Sequence, residues 1–144
     1  MPRCCVRRLL RALGVRRHTM SSSSRWGEKR DTFYRAAKVA GFRARSAYKL
    51  LALDARHGLL RPAAGLPVRA VVDLCAAPGS WSQALAAALP AGARIVAVDL
   101  QAIAPIAGVA VVQGDITAPA TLAAVAAACG GAPVTWSSVT ARRT

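Results

Sequence analysis

Acidic residues are scarce in this chain. Its 144 residues hold six Asp and Glu against twenty Lys and Arg, a formal net charge of +14. From Pro62 onward, Asp73, Asp99 and Asp115 are the only acids. Histidine is limited to His18 and His57, which stand alone, and the four cysteines (Cys4, Cys5, Cys75, Cys129) form no C-x-x-C pair. Zinc-site spacing is therefore missing, and reduced thiols of a cytosolic type are the default. Cys75 reads as a small packed residue, because no neighbouring His or acid explains an activated thiol. No apolar run is long enough to span a bilayer. The glycines of a G-x-G-x-x-G phosphate loop are absent as well.

What is present is unevenly placed. Residues 1–61 hold sixteen of the twenty basic residues, and residues 62–144 hold four. A basic front end beside a near-neutral segment points to a polyanion partner, most simply RNA or DNA. The alternative is a solvated, Arg-rich surface from a GC-rich genome, in keeping with the abundant alanine. The length has room for one domain, and not necessarily a whole one. Residues 1–19 contain six arginines, no acid, and Leu9, Leu10 and Leu13. They read either as a mitochondrial presequence or as sequence upstream of a true start at Met20, the second being favoured.

Asp31 is expected to cap a helix running through Ala40 and ended by Gly41. Ser46 is expected to cap a second that runs to His57 and closes at Gly58. On that second helix Leu50 and Leu51 lie near Ala47 and face inward, while Arg45, Lys49 and Arg56 share the other side. Strands are predicted at Ala70–Leu74, Ile95–Val98 and Val109–Val112, with helices near Trp81–Leu89 and Ala120–Cys129. Alternating strands and helices predict an α/β fold with a parallel sheet and flanking helices. The strands are apolar and β-branched, which suits burial on both faces.

Each of the three apolar runs ends in or beside an acid. The first, Val71-Val72-Asp73-Leu74, passes into the small-residue loop Cys75-Ala76-Ala77-Pro78-Gly79 and then a helical stretch from Ser80 and Trp81. A parallel sheet opens a nucleotide-sized pocket in this way, at the carboxyl end of its first strand. Gly79 admits close backbone approach to a ligand. Asp99 is placed to accept from a ribose diol, and Asp115 from the exocyclic amine of an adenine. Trp81 is either an apolar wall of the pocket or simply core. A nicotinamide dinucleotide would suit the Gly79–Asp99 spacing, but Pro78 removes an N–H where a pyrophosphate needs donors. S-adenosylmethionine, with an adenosine and no phosphate, fits better.

Four stretches carry a resemblance: R-A-R-S-A-Y-K-L-L (Arg43–Leu51), D-L-C-A-A-P-G-S-W-S-Q (Asp73–Gln83), A-V-D-L-Q-A-I-A-P (Ala97–Pro105) and Q-G-D-I-T (Gln113–Thr117). In this order and spacing they resemble the FtsJ/RrmJ family of RNA ribose 2′-O-methyltransferases. The wording looks most like the eukaryotic branch that methylates the tRNA anticodon loop, with the ribosomal RNA branch a close rival. The resemblance implies the N-terminal half of a Rossmann-like methyltransferase fold and S-adenosylmethionine as cofactor. It implies that Asp73, Gly79, Trp81, Asp99 and Asp115 form the cofactor site. Lys49 would be the first member of a Lys-Asp-Lys-Glu catalytic set, orienting and polarising the ribose, and Arg43 and Arg45 would hold RNA phosphates. It also implies an activating partner protein, no membrane association, and a cytoplasmic location (mitochondrial if residues 1–19 are a genuine presequence).

On this basis residues 1–25 form a basic extension, 26–133 a partial methyltransferase domain, and 134–144 an aberrant tail. Where the family continues into a fourth strand and a D-G-A-P-D motif, this chain has V-T-W-S-S-V-T-A-R-R-T. Read from the third base of the Val134 codon, the degenerate triplets permit D-L-V-V-C-D-G-A-P-D. A one-base frame change, mis-set splice junction or assembly error is thus expected near Pro133. Three of the four catalytic positions are then missing and the first strand is left with an open edge, so the chain as written is expected to be inactive and poorly folded.

Overall fold

A computed structural model describes residues 26–60, 68–131, 134 and 136–139. Its elements are α1 (Trp26–Val39), α2 (Ala47–His57), β1 (Ala70–Leu74), α3 (Ser80–Ala88), β2 (Arg94–Asp99), β3 (Val109–Gln113), α4 (Pro119–Cys129) and β4 (Trp136–Val139). The expected basic extension, 1–25, lies outside the described residues.

The strands form one parallel sheet in the order β3-β2-β1-β4. Alternation along each strand divides the core. Val71 and Ile95 pack with Leu50 and Leu51 of α2 and Ala84 and Leu85 of α3 on one face. Val72, Val96 and Val98 pack with Cys129 and Val125 of α4 on the other. Leu50, Leu51 and Leu85 are fully enclosed, each side chain contributing about 1.5–3 kcal/mol by removal from water. Two helical layers on a parallel sheet is the expected architecture.

Four expectations need correction. The edge of β1 is not open, because Trp136–Val139 pairs with Val71–Leu74 in parallel register. Backbone hydrogen bonding requires only an extended segment of the right length, so W-S-S-V takes a place that composition had not assigned to a strand. β3 is not buried on both faces. It lies at the sheet edge, where Ala110, Val111 and Gln113 are exposed, because a marginal strand has a neighbour on one side only. The first helix begins at Trp26, which puts Asp31 inside it rather than at its cap. Ser46 does occupy the cap position of α2, but with helical backbone angles and no hydroxyl bond to the helix; its Oγ pairs with Ser80 Oγ at 2.7 Å. The other end of α2 is as expected, with Gly58 left-handed (φ 66°) and its N–H donating to the Asp54 carbonyl.

Asp54 and Tyr48 were not anticipated as core residues. The Asp54 carboxylate is buried and accepts the Leu60 N–H at 2.8 Å, tying the turn after α2 back onto the helix. Tyr48 packs between Phe33 and Phe42. Its hydroxyl is buried with no partner among the described residues, and burial pushes the phenol's pKa up from its ordinary value.

Candidate functional site

β1 stands where the chain's direction across the sheet reverses: β2 and β3 lie to one side of it and β4 to the other. Ligands of open parallel sheets bind beyond the carboxyl ends of the strands at such a point. The loop that leaves β1 there turns sharply. Cys75 adopts a left-handed conformation (φ 57°), and the Ala76 N–H donates to the Val98 carbonyl at 3.0 Å. Gly79 has φ 98° and immediately precedes α3, a backbone conformation that side-chain-bearing residues rarely adopt.

The three carboxylates take three different roles. Asp99, half-buried, receives the Ala77 N–H on Oδ2 and the Gln101 N–H on Oδ1, both at 2.8 Å. It therefore holds the Pro-Gly loop against the end of β2. Asp115 sits beyond the neighbouring strand, whose Gly114 N–H donates to the Asp99 carbonyl at 3.0 Å. Its exposed Oδ1 accepts both the N–H and the hydroxyl of Thr117. Those bonds, the backbone one first, favour the ionised form and lower its pKa below the ordinary value. Asp73 is the exception. It is completely buried and accepts the Ser82 hydroxyl at 2.7 Å, so its side chain fastens α3 to β1 and does not reach the crevice.

The first turn of α3 does a second job that the sequence did not disclose. Ser80 bonds Ser46, Trp81 donates its indole N–H to the Ser46 carbonyl at 2.9 Å, and Gln83 bridges the linker between α1 and α2. The Gln83 amide accepts the Arg43 N–H at 2.8 Å and donates to the Gly41 carbonyl at 3.1 Å. Trp81 is thus a partly buried docking residue packed on the core. Ser82 and Gln83 were quoted as motif letters only; polar residues in an otherwise Ala-rich helix were the available signal.

Arg43, expected as a phosphate contact, is engaged within the chain. Its guanidinium donates to the carbonyls of Pro78 (3.0 Å), Ala104 (2.7 Å) and Pro105 (2.8 Å). Arg45 and Lys49 are exposed, Lys49 in the first turn of α2 and Arg45 just before it. An open groove of about 580 Å³ lies beside this site. It is walled by Gly41, Phe42, Gln83, Ala87, Pro105 and Ile106. It shares Arg43 with the site but none of the three aspartates or Lys49. Among the described residues there is no group of three or more His, Cys, Asp or Glu that could hold a metal ion.

The FtsJ-like methyltransferase family profile matches residues 42–140, from the linker before α2 through β4. The chain belongs to this family. Among its relatives, a mouse tRNA (cytidine(32)/guanosine(34)-2′-O)-methyltransferase is 52% identical over 84 residues, covering 57% of this chain and 24% of the relative. A Drosophila melanogaster tRNA (guanosine(34)-2′-O)-methyltransferase is 58% identical over 90 residues, covering 57% and 27%. A ribosomal RNA large subunit methyltransferase E from Sphingopyxis alaskensis is 45% identical over 114 residues, covering 78% and 47%. This FtsJ-like chain therefore spans about a quarter of the tRNA-modifying relatives and about half of the ribosomal one. The family match includes the Pro-Gly loop, Asp99, Asp115 and Lys49, and it continues past Pro133.

Proposed function

We propose that this chain carries the cofactor-binding portion of an S-adenosylmethionine-dependent RNA ribose 2′-O-methyltransferase, acting on nucleotides of a tRNA anticodon loop. The observation that carries the reading is the Asp99 carboxylate, hydrogen-bonded to the Pro-Gly loop where the sheet changes direction. A carboxylate has about four acceptor positions. Asp99 uses one on each oxygen, and Asp115 Oδ2 has no donor among the described residues. The donor-hungry groups at the ends of β2 and β3 therefore suit the ribose diol and adenine amine of that cofactor. When bound, the cofactor supplies an electrophilic methyl group on a sulfonium.

The chain's own residues would act around it. The Pro-Gly loop presents little side-chain bulk, and Gly79 lets the backbone come close. Lys49, on the exposed face of α2, would orient and polarise the target ribose; in-line placement is a large part of what such a transfer needs. Exposed Arg45 would bind phosphates and position the strand without reading its sequence.

Titration calorimetry of the full chain with S-adenosylmethionine tests this reading. Removing one hydrogen-bonded carboxylate is expected to weaken binding about 10-fold or more, for Asp99→Ala and Asp115→Ala alike. Binding that survives both changes, or no binding by the parent chain, overturns it. The wide match to the ribosomal relative supports a second substrate class. Competition between a tRNA anticodon stem-loop and a ribosomal RNA helix separates the two.

A further inference from the structure

Arg43 joins three segments that are far apart in sequence. Its guanidinium reaches the Pro-Gly loop at Pro78 and the segment after β2 at Ala104 and Pro105. Its own backbone N–H is held by Gln83 of α3. In the segment after β2, Ile103 and Ile106 close on Gly79: a methyl group there would lie 3.1 Å from Ile103 Cγ2 and 2.6 Å from Ile106 Cδ1. The loop is thus pressed between two isoleucines and one cation. Three of the guanidinium's five N–H groups are thereby committed to carbonyls of the chain itself. The planar fork matters as well, since a lysine offers a single nitrogen on a flexible stem where Arg43 uses two at fixed spacing.

We infer that Arg43 is a positioning residue for the cofactor loop, clamping Pro78 and Gly79 against Ala104 and Pro105, and is not an RNA contact. What the loop holds rests on the function proposed above; the clamp itself does not. A rigid loop meets its ligand already shaped, so loosening it lowers affinity without removing any group that touches the ligand.

The test uses the full chain carrying Arg43→Lys, with Arg56→Lys as an exposed control and Ile106→Ala as a variant that loosens the same contact while preserving charge. Amide hydrogen exchange is read without ligand at Ala77, Gly79 and Gln101. S-adenosylmethionine affinity and the salt dependence of tRNA binding are read in parallel. Loss of one charge-assisted bond in Arg43→Lys is expected to speed exchange at those amides about 10-fold and raise the cofactor Kd about 10-fold. Ile106→Ala should shift both in the same direction, and Arg56→Lys neither. The salt slope should not change even in Arg43→Gln, which removes the charge.

A salt slope that falls by about 0.7–0.9 in Arg43→Gln, the loss of one phosphate contact, with exchange and Kd unchanged in Arg43→Lys, overturns the inference. So does faster exchange spread evenly over β1, β2 and β3, since Arg43 would then serve only general stability. If the parent binds no S-adenosylmethionine, the proposed function fails, while amide exchange still decides whether the clamp exists.

Discussion

Replacing Gly79 by alanine separates two costs that the structure places at one atom. The first is conformational: at φ 98° a residue with a side chain is strained by about 1–3 kcal/mol. The second is steric, because the added methyl would lie 2.6 Å from Ile106 Cδ1 and 3.1 Å from Arg43 Nη1 and Ile103 Cγ2. Ile106 Cδ1 is the tip of a half-buried side chain, so it can move, and about 1–2 kcal/mol at the lower end of overpacking penalties is appropriate. The expected total is about 2–5 kcal/mol, a large part of the stability of an ordinary domain. Urea unfolding of the parent, Gly79→Ala, Ile106→Ala and the double variant measures it. In the double variant the part of the steric cost owed to Ile106 should vanish, giving a coupling of up to about 1–2 kcal/mol, while the backbone part and the contacts with Arg43 and Ile103 persist. A Gly79→Ala variant within about 0.5 kcal/mol of the parent, or a strictly additive pair, refutes the reasoning.

Two other outcomes follow from the carboxylates. Ser82→Ala removes the hydroxyl that a fully buried Asp73 accepts; taking a partner from a buried polar group costs about 1–3 kcal/mol. A fall in Tm of roughly 3–12 °C is expected by calorimetry, and an unchanged Tm would show that Asp73 does not need this donor. Asp115 has a pKa lowered by its bonds to Thr117. A depressed carboxylate contributes stability that is present above its unfolded pKa, near pH 4, and is lost as pH falls through the folded value. Asp115→Asn should therefore flatten the fall in urea midpoint below about pH 4, by a small amount because the group is exposed and screened. Superimposable acid limbs for parent and variant would contradict this.

Much of the chain's organisation follows from its sequence alone, for local reasons. Val-, Ile- and Ala-rich runs of four to six residues between turn signals locate β1, β2 and β3 almost to the residue. Ala47, Leu50 and Leu51 mark the inner face of α2 by helical spacing, and Gly58 marks its end. The acids at 99 and 115 and the glycine at 79 also stand out, because each is a lone special residue at the end of an apolar strand or in the loop after one. Contacts across long stretches of chain were not legible. Arg43 was expected to face RNA, and only the approach of residues 61 and 62 positions away supplied its carbonyls. Asp73 and Asp99 are identical residue types after similar strands. Asp73 lies inside β1 and is buried against Ser82 of α3, while Asp99 is the last residue of β2 and meets the loop, a difference set by the register of the two strands. β4 was read as a tail, since four residues carry too little pattern to announce a strand until β1 supplies a ladder of donors and acceptors. Local pattern determined the elements and their special residues; the pairing of polar groups was decided only when packing brought the segments together, because hydrogen bonds form with whichever partner arrives within about 3 Å.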